Sequence, residues 1–334
     1  MQSFRDHPRA LMGLAVAVAA AVTVAILMAD GPGGFAAHVS HLRWGWLGLV
    51  VAGALAAPAG YTLCFQALTR MAQGPELPAG LAARIVAIGF GPFLPMGGLH
   101  VDRRMLETLK GDDTNARTHV LAIGLLELAL LTPVAWVCAI LLQLSPPAGL
   151  KSSQTWPWIV LVPAGFGIAF AAIAWVRARD PDPRRGGLRG RWARLAHGAS
   201  FLLRLPGRGV DGWSAILGMV GYWVADILSF YAATQFVDLR VSLAAAVLAY
   251  ATGYLLTRRS TPLGGAGFTE ALLCFALHWV GQPVEGALAA VVVYRIFNFV
   301  LPGVPALKAR EDLHPLVEAE KTVDVEQIIT PTPG

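Results

Sequence analysis

Five runs of about twenty apolar residues, at 10–29, 44–65, 120–142, 156–176 and 213–237, with a sixth at 284–302, limit what this chain can fold into. A helix of that length crosses the roughly 30 Å of bilayer hydrocarbon. In that medium every backbone N–H and C=O must be satisfied inside the element, so each run reads as a transmembrane helix. Composition agrees: 55% of residues are apolar and 14% charged, against roughly 45–50% and about 25% in soluble domains. So few charges cannot cover a soluble fold of 334 residues. A cytosolic enzyme and a nucleic-acid module are both excluded.

The charges are unevenly placed. Residues 177–211 hold nine arginines against Asp180, Asp182 and Asp211, a net +6 that exceeds the +5 of the whole chain. This bias places the 177–211 loop, the 99–119 segment and the N-terminus on the cytoplasmic side of the inner membrane. It also points to contact with anionic lipid of the inner leaflet. Within the loop, Leu188, Trp192, Leu195, Ala199 and Leu202 recur at helical spacing. That fits either a helix lying on the leaflet or a simple orientation signal. Tryptophans at 44, 46, 156, 158, 175 and 213 stand where interfacial anchors belong. The first run has no clear cleavage site after it and reads as a retained span. Residues 1–305 form one membrane domain, and 306–334 a polar, partly disordered tail ending in Thr-Pro-Thr-Pro-Gly.

Two apolar regions are irregular. Residues 84–100 are short and broken by Pro95, Gly97 and Gly98, and residues 241–281 are broken by Pro262, Gly264, Gly265 and Gly267. Pro95 and Pro262 lie 167 residues apart, each precedes an acid (Asp102; Glu270), and each follows arginine (Arg84; Arg258 and Arg259). Three spans separate the breaks, so the two approach the membrane from opposite leaflets, as an inverted repeat requires. Interrupted helices at matching places in two halves mark a transporter's substrate site. The expected architecture is all-α and polytopic, with about seven or eight transmembrane helices including one or two re-entrant broken ones. Whether 241–257 crosses fully or forms half of a hairpin is open at this level.

Ionisable residues fall inside the spans: Glu127, Asp226 and Arg295, with Glu270 at a helix start. A central Asp or Arg costs about 2.5–3.5 kcal/mol even on the translocon scale, so each needs a partner or water. They either form structural ion pairs or line a polar path between leaflets. Arginine's planar donor fork suits a lipid phosphate, and carboxylates can balance that charge. The substrate-binding candidates are therefore Arg84, Asp102, Arg103, Glu127, Asp226, Arg258, Arg259, Glu270 and Arg295. Gly31-Pro32-Gly33-Gly34 is a loop punctuator rather than a phosphate cradle. Cys64, Cys138 and Cys274 sit in apolar runs without ligand spacing, and no metal, cofactor or catalytic residue is expected.

The stretch Gly264-Gly265-Ala266-Gly267-Phe268-Thr269-Glu270 is followed by Gly281-Gln282-Pro283, Ala287-Leu288-Ala289-Ala290 and Arg295. In this order it resembles the lysylphosphatidylglycerol synthase transmembrane-region family, a flippase-like domain. Pro95, Gly97-Gly98, Asp102-Arg103 and Glu127 are similar to the family's first half. Leu263 stands where the family has proline directly before the glycine pair, and Leu128 where an arginine often follows the glutamate. The resemblance covers about 10–305 and implies movement of a polar-headgroup lipid, a phospholipid or lipid-linked glycan, between leaflets. The alternative is a non-catalytic partner or regulator of a lipid- or glycan-modifying enzyme. No aminoacyl-transfer domain follows, so synthase activity is not implied.

Overall fold

The computed structural model describes residues 7–71, 77–94, 113–147, 150, 152–179, 187–254 and 261–312. The helices are α1 (Pro8–Asp30), α2 (Pro32–Ser40), α3 (Leu47–Met71), α4 (Ala79–Gly89), α5 (Asp113–Leu144) and α6 (Ser152–Arg179). They continue with α7 (Gly187–Leu203), α8 (Gly209–Phe236), α9 (Leu243–Tyr254), α10 (Phe268–Trp279) and α11 (Val284–Arg295). Helix α11 passes through a π turn at Ile296–Val300 and runs on as helix over 301–312. Among the described residues there is no strand. Six helical stretches are long and apolar enough to cross a membrane, and they coincide with the six runs seen in the sequence. Helices α4 and α9 have 11 and 12 residues, about 17 Å each, which is half a bilayer. The chain is an all-α polytopic membrane protein.

The antiparallel pair α3 and α8 forms the centre. Gly53 on α3 lies against Ala225 and Ser229 of α8, and Gly60 against Gly218 and Tyr222, so residue numbers run in opposite directions along the seam. A Cβ on Gly60 would sit 2.6 Å from the Tyr222 nitrogen, and one on Gly218 would sit 2.6 Å from the Cys64 nitrogen. Lipid tails are as apolar as leucine, so contact between helices rests on packing, and small residues let the backbones meet. Ser229 adds a hydrogen bond from Oγ to the Val50 carbonyl at 2.9 Å. Fully 56% of the α8 span is buried, against 11% for α1 and α6, which are peripheral.

Several expectations need adjusting. Residues 187–203 are helical as the spacing suggested, and α7 seats on α5 through small residues, which leaves the leaflet reading of the apolar stripe untouched. Its buried residues are Gly190, Ala193, Ala196 and Gly198, whereas Trp192 of the proposed stripe is 51% exposed. Small residues win this face because α5 lies close: a Cβ on Gly198 would come within 3.2 Å of Leu125. The Gly31-Pro32-Gly33-Gly34 punctuation reduces to one residue, Gly31 at φ 100°, after which Pro32 opens α2. Proline's fixed φ and missing donor are favourable at that first helical position. The last helix extends past residue 305 to Asp312, with Ala306 and Ala309 buried and Glu311 bridged to Arg9 of α1 at 2.9 Å. Trp44, Trp156 and Trp213 are exposed at helix starts, as anchors should be. Trp158 turns inward and donates to Thr252 Oγ1.

Candidate functional site: two interrupted helices and a buried polar cluster

The second break is built by backbone conformation. Leu263, Gly264, Gly265 and Gly267 all have positive φ, at 53°, 60°, 73° and 79°. Three are glycine, for which that region carries no Cβ penalty. Leu263 is the exception, and holding a bulky residue there costs of order 1–3 kcal/mol. The broken turn is fixed from across the molecule: the Leu263 N–H donates to the carbonyl of Leu94 at 2.8 Å. Leu94 directly precedes Pro95, so the described edge of the first break touches the second. Pro92 also lies beside Gly264. Upstream of Leu94, Phe90 packs edge-on to Tyr61 with ring centroids 5.4 Å apart, at the α3–α8 seam.

Beyond the turn, α10 begins with Gly267 as its cap and Glu270 in its first turn. Glu270 Oε2 accepts the Gly267 N–H at 2.7 Å, which satisfies one of the otherwise unpaired donors at a helix start. Its Oε1 accepts from Arg295 Nε at 2.6 Å. Both side chains are buried, 2% and 6% exposed. The guanidinium also donates to the Gly264 carbonyl at 3.4 Å and stacks over the Phe299 ring, 3.9 Å from its centroid. Arg295 thus ties the π turn of α11 to the broken turn before α10. Such single π turns appear mostly at functional sites.

A second polar cluster surrounds Asp226 in the middle of α8. Its carboxylate, fully buried, accepts from Tyr250 Oη, from Tyr294 Oη at 3.1 Å and from Asn298 Nδ2 at 2.5 Å. Tyr254 completes the set by donating to Asn298 Oδ1 at 3.0 Å and stacking on Tyr250 with centroids 4.9 Å apart. A buried carboxylate is tolerable when donors replace its lost water, and here hydroxyls and an amide do so. Asn298 and Arg295 are three residues apart on α11, so that helix contributes to both clusters.

Of the residues expected to form a site, Glu270 and Arg295 meet as an ion pair, and Asp226 of α8 is bound by Asn298, one helical turn along α11 from Arg295. Glu127, half-buried on α5, offers its carbonyl to the Trp223 indole at 3.2 Å, and that ring packs against Tyr250. Arg84 is exposed on α4. Pro95, Gly97, Gly98, Asp102, Arg103, Arg258 and Arg259 lie outside the described residues. Reading the sequence missed Tyr250, Tyr254 and the roles of Tyr294 and Asn298. The signal was present: two pairs of polar side chains at i,i+4 within apolar helices share one face each. Among the described residues no group of three metal-ligating side chains occurs, and the three cysteines are buried free thiols.

Among the described residues, six apolar spans, two shorter apolar helices and a buried polar site beside the turn at 262–267 define a polytopic helical membrane protein. The chain belongs to the family described as the lysylphosphatidylglycerol synthase TM region, whose model matches residues 11–306. That match takes in every described helix that shapes the site. The family associates the chain with membrane lipid. No curated protein matches the chain significantly.

Proposed function

We propose that this protein moves a polar-headgroup lipid between the leaflets of the cytoplasmic membrane, with the two interrupted helices as the passage. The observation that carries this reading is the Leu263–Leu94 hydrogen bond, which ties the turn beside the buried Glu270–Arg295 pair to the residue before Pro95. Two features support an inverted repeat. A long helix, a half-length apolar helix and a Pro-Gly break follow one another twice, starting at residues 47, 79 and 95 and again at 209, 243 and 262. The two long helices of these sets, α3 and α8, pack antiparallel, as inverted copies would. Re-entrant geometry for α4 and α9 follows from this reading.

A lipid headgroup entering hydrocarbon must exchange water for fixed polar partners. Arg295 provides a bidentate phosphate fork that Glu270 occupies in the resting arrangement. An arriving phosphate competes with that carboxylate, and the tyrosine-lined Asp226 cluster sits next along the path. Arg258 and Arg259, immediately before the second break in sequence, add positive charge. No bond is made or broken in this scheme, so the protein acts as a carrier and not as an enzyme.

The test is leaflet exchange of tail-labelled phosphatidylglycerol in liposomes containing purified protein, read by quenching of outer-leaflet label. Asp226→Asn should slow exchange about tenfold, a loss of 1.4 kcal/mol, with the helical content unchanged. Exchange by the wild-type protein no faster than in protein-free liposomes refutes carriage. Copurification of a lipid-modifying enzyme would then favour the partner role.

A further inference from the structure

An open-sided groove lies between α5, α6 and α7, and none of its lining residues belongs to either polar cluster. Its volume is about 490 Å³ and its wall runs along α6 from Pro157 to Ile173. Sixteen helical steps span roughly 24 Å. Two polar groups reach the lining, the Thr132 hydroxyl and the Trp158 indole. Both are occupied, Thr132 donating to the Leu128 carbonyl at 2.7 Å and Trp158 to Thr252 at 3.0 Å. The groove therefore offers nothing to a headgroup and everything to hydrocarbon.

Charge beside the lining selects the lipid. Leu202 and Leu203 of α7 line the groove, the exposed Arg204 follows them directly in the chain, and the exposed Arg208 is four residues further. From residue 187 to 210 there are five arginines and no acid, and the next acid, Asp211, is bridged to Arg70 at 2.9 Å. The geometry points to a bound anionic phospholipid, one acyl chain laid along α6 and its phosphate held beside Arg204 and Arg208. This site is separate from the proposed passage and does not require translocation.

The test uses protein in nanodiscs of equal phosphatidylglycerol and phosphatidylcholine, with a diazirine on the acyl tail of one lipid at a time. Photolabelling is mapped at Leu128 and Leu161 in the groove. Leu55 on α3, which is 68% exposed and outside the groove, is the reference for ordinary lipid contact. Expected is preferential labelling of the groove by phosphatidylglycerol. The preference should fall about fivefold for each of Arg204→Ala and Arg208→Ala, the equivalent of ~1 kcal/mol per basic residue at an anionic surface. Gly165 lines the groove with open space at its Cβ position, so Gly165→Leu directs a side chain into it. That variant should lose labelling at Leu161 and keep it at Leu55. Equal labelling by the two lipids, or groove labelling no heavier than at Leu55, overturns the proposal in favour of annular contact only.

Discussion

Removing one partner of the Glu270–Arg295 pair should destabilise the protein far more than removing both. The two side chains are 2% and 6% exposed and 2.6 Å apart, in a segment surrounded by hydrocarbon. Arg295→Met strands a buried carboxylate, and breaking such a pair costs about 3–5 kcal/mol. Glu270→Gln keeps the Gly267 bond if its amide oxygen faces that N–H, but the amide nitrogen then confronts the Arg295 donor. Its cost falls in the same range. In the double variant, two neutral side chains of similar length replace the pair, and the remaining loss is that of ordinary packing and one hydrogen bond, about 1–2 kcal/mol. The coupling energy is therefore at least about 4 kcal/mol, above the 0.5–3 kcal/mol usual for residues in contact. In a chain this long, 1 kcal/mol moves the melting temperature by about 2 °C. Each single variant should melt about 6–10 °C lower in detergent, and the double variant only about 2–4 °C lower. Melting shifts that simply add would mean that the two side chains do not bear on each other, and the site as described would be wrong.

Two backbone predictions follow from the same coordinates. On α8, Gly218→Ala pushes a methyl into the α3 backbone and should cost about 1–3 kcal/mol, whereas Gly221→Ala meets open space and should be neutral or stabilising by up to about 1 kcal/mol. Thermal melts of the two variants side by side decide it. At the break, Gly267 has φ 79° and ψ −48°, a conformation closed to other residues, while Gly264 at φ 60° and ψ 26° lies in the left-handed region that L-residues can enter. Gly267→Ala should therefore lower the yield of monodisperse protein more than Gly264→Ala, and the reverse order would contradict the assigned turn.

Much of the fold was legible in the sequence because bilayer thickness imposes its length on any spanning helix. The run at 120–142 sits inside α5 and the run at 213–237 all but coincides with α8. Helix ends were less legible, since they leave the hydrocarbon and hydropathy falls there. The last helix carries Lys308, Arg310, Glu311 and Asp312 yet stays packed by Ala306 and Ala309. The helix α7 was legible from its apolar spacing, but the small residues by which it seats on α5 carry no hydropathy signal. Beside lipid, large apolar residues can point outward while glycine and alanine make the contact. Glu270 and Arg295 were recognisable as costly buried charges, and one of the proposed outcomes, pairing, is what they do. The hydroxyl and amide ligands of Asp226 were overlooked because tyrosine and asparagine cost less in an apolar helix and so stand out less.

The contact between positions 94 and 263 is made by main-chain atoms alone. Every amino acid supplies the same acceptor at 94, and every one but proline supplies the same donor at 263. Alanine scanning is therefore blind to this yoke, whereas proline at 263 removes its donor. Whatever motion these two segments undergo, residues 94 and 263 are fastened by a link that most substitutions leave untouched.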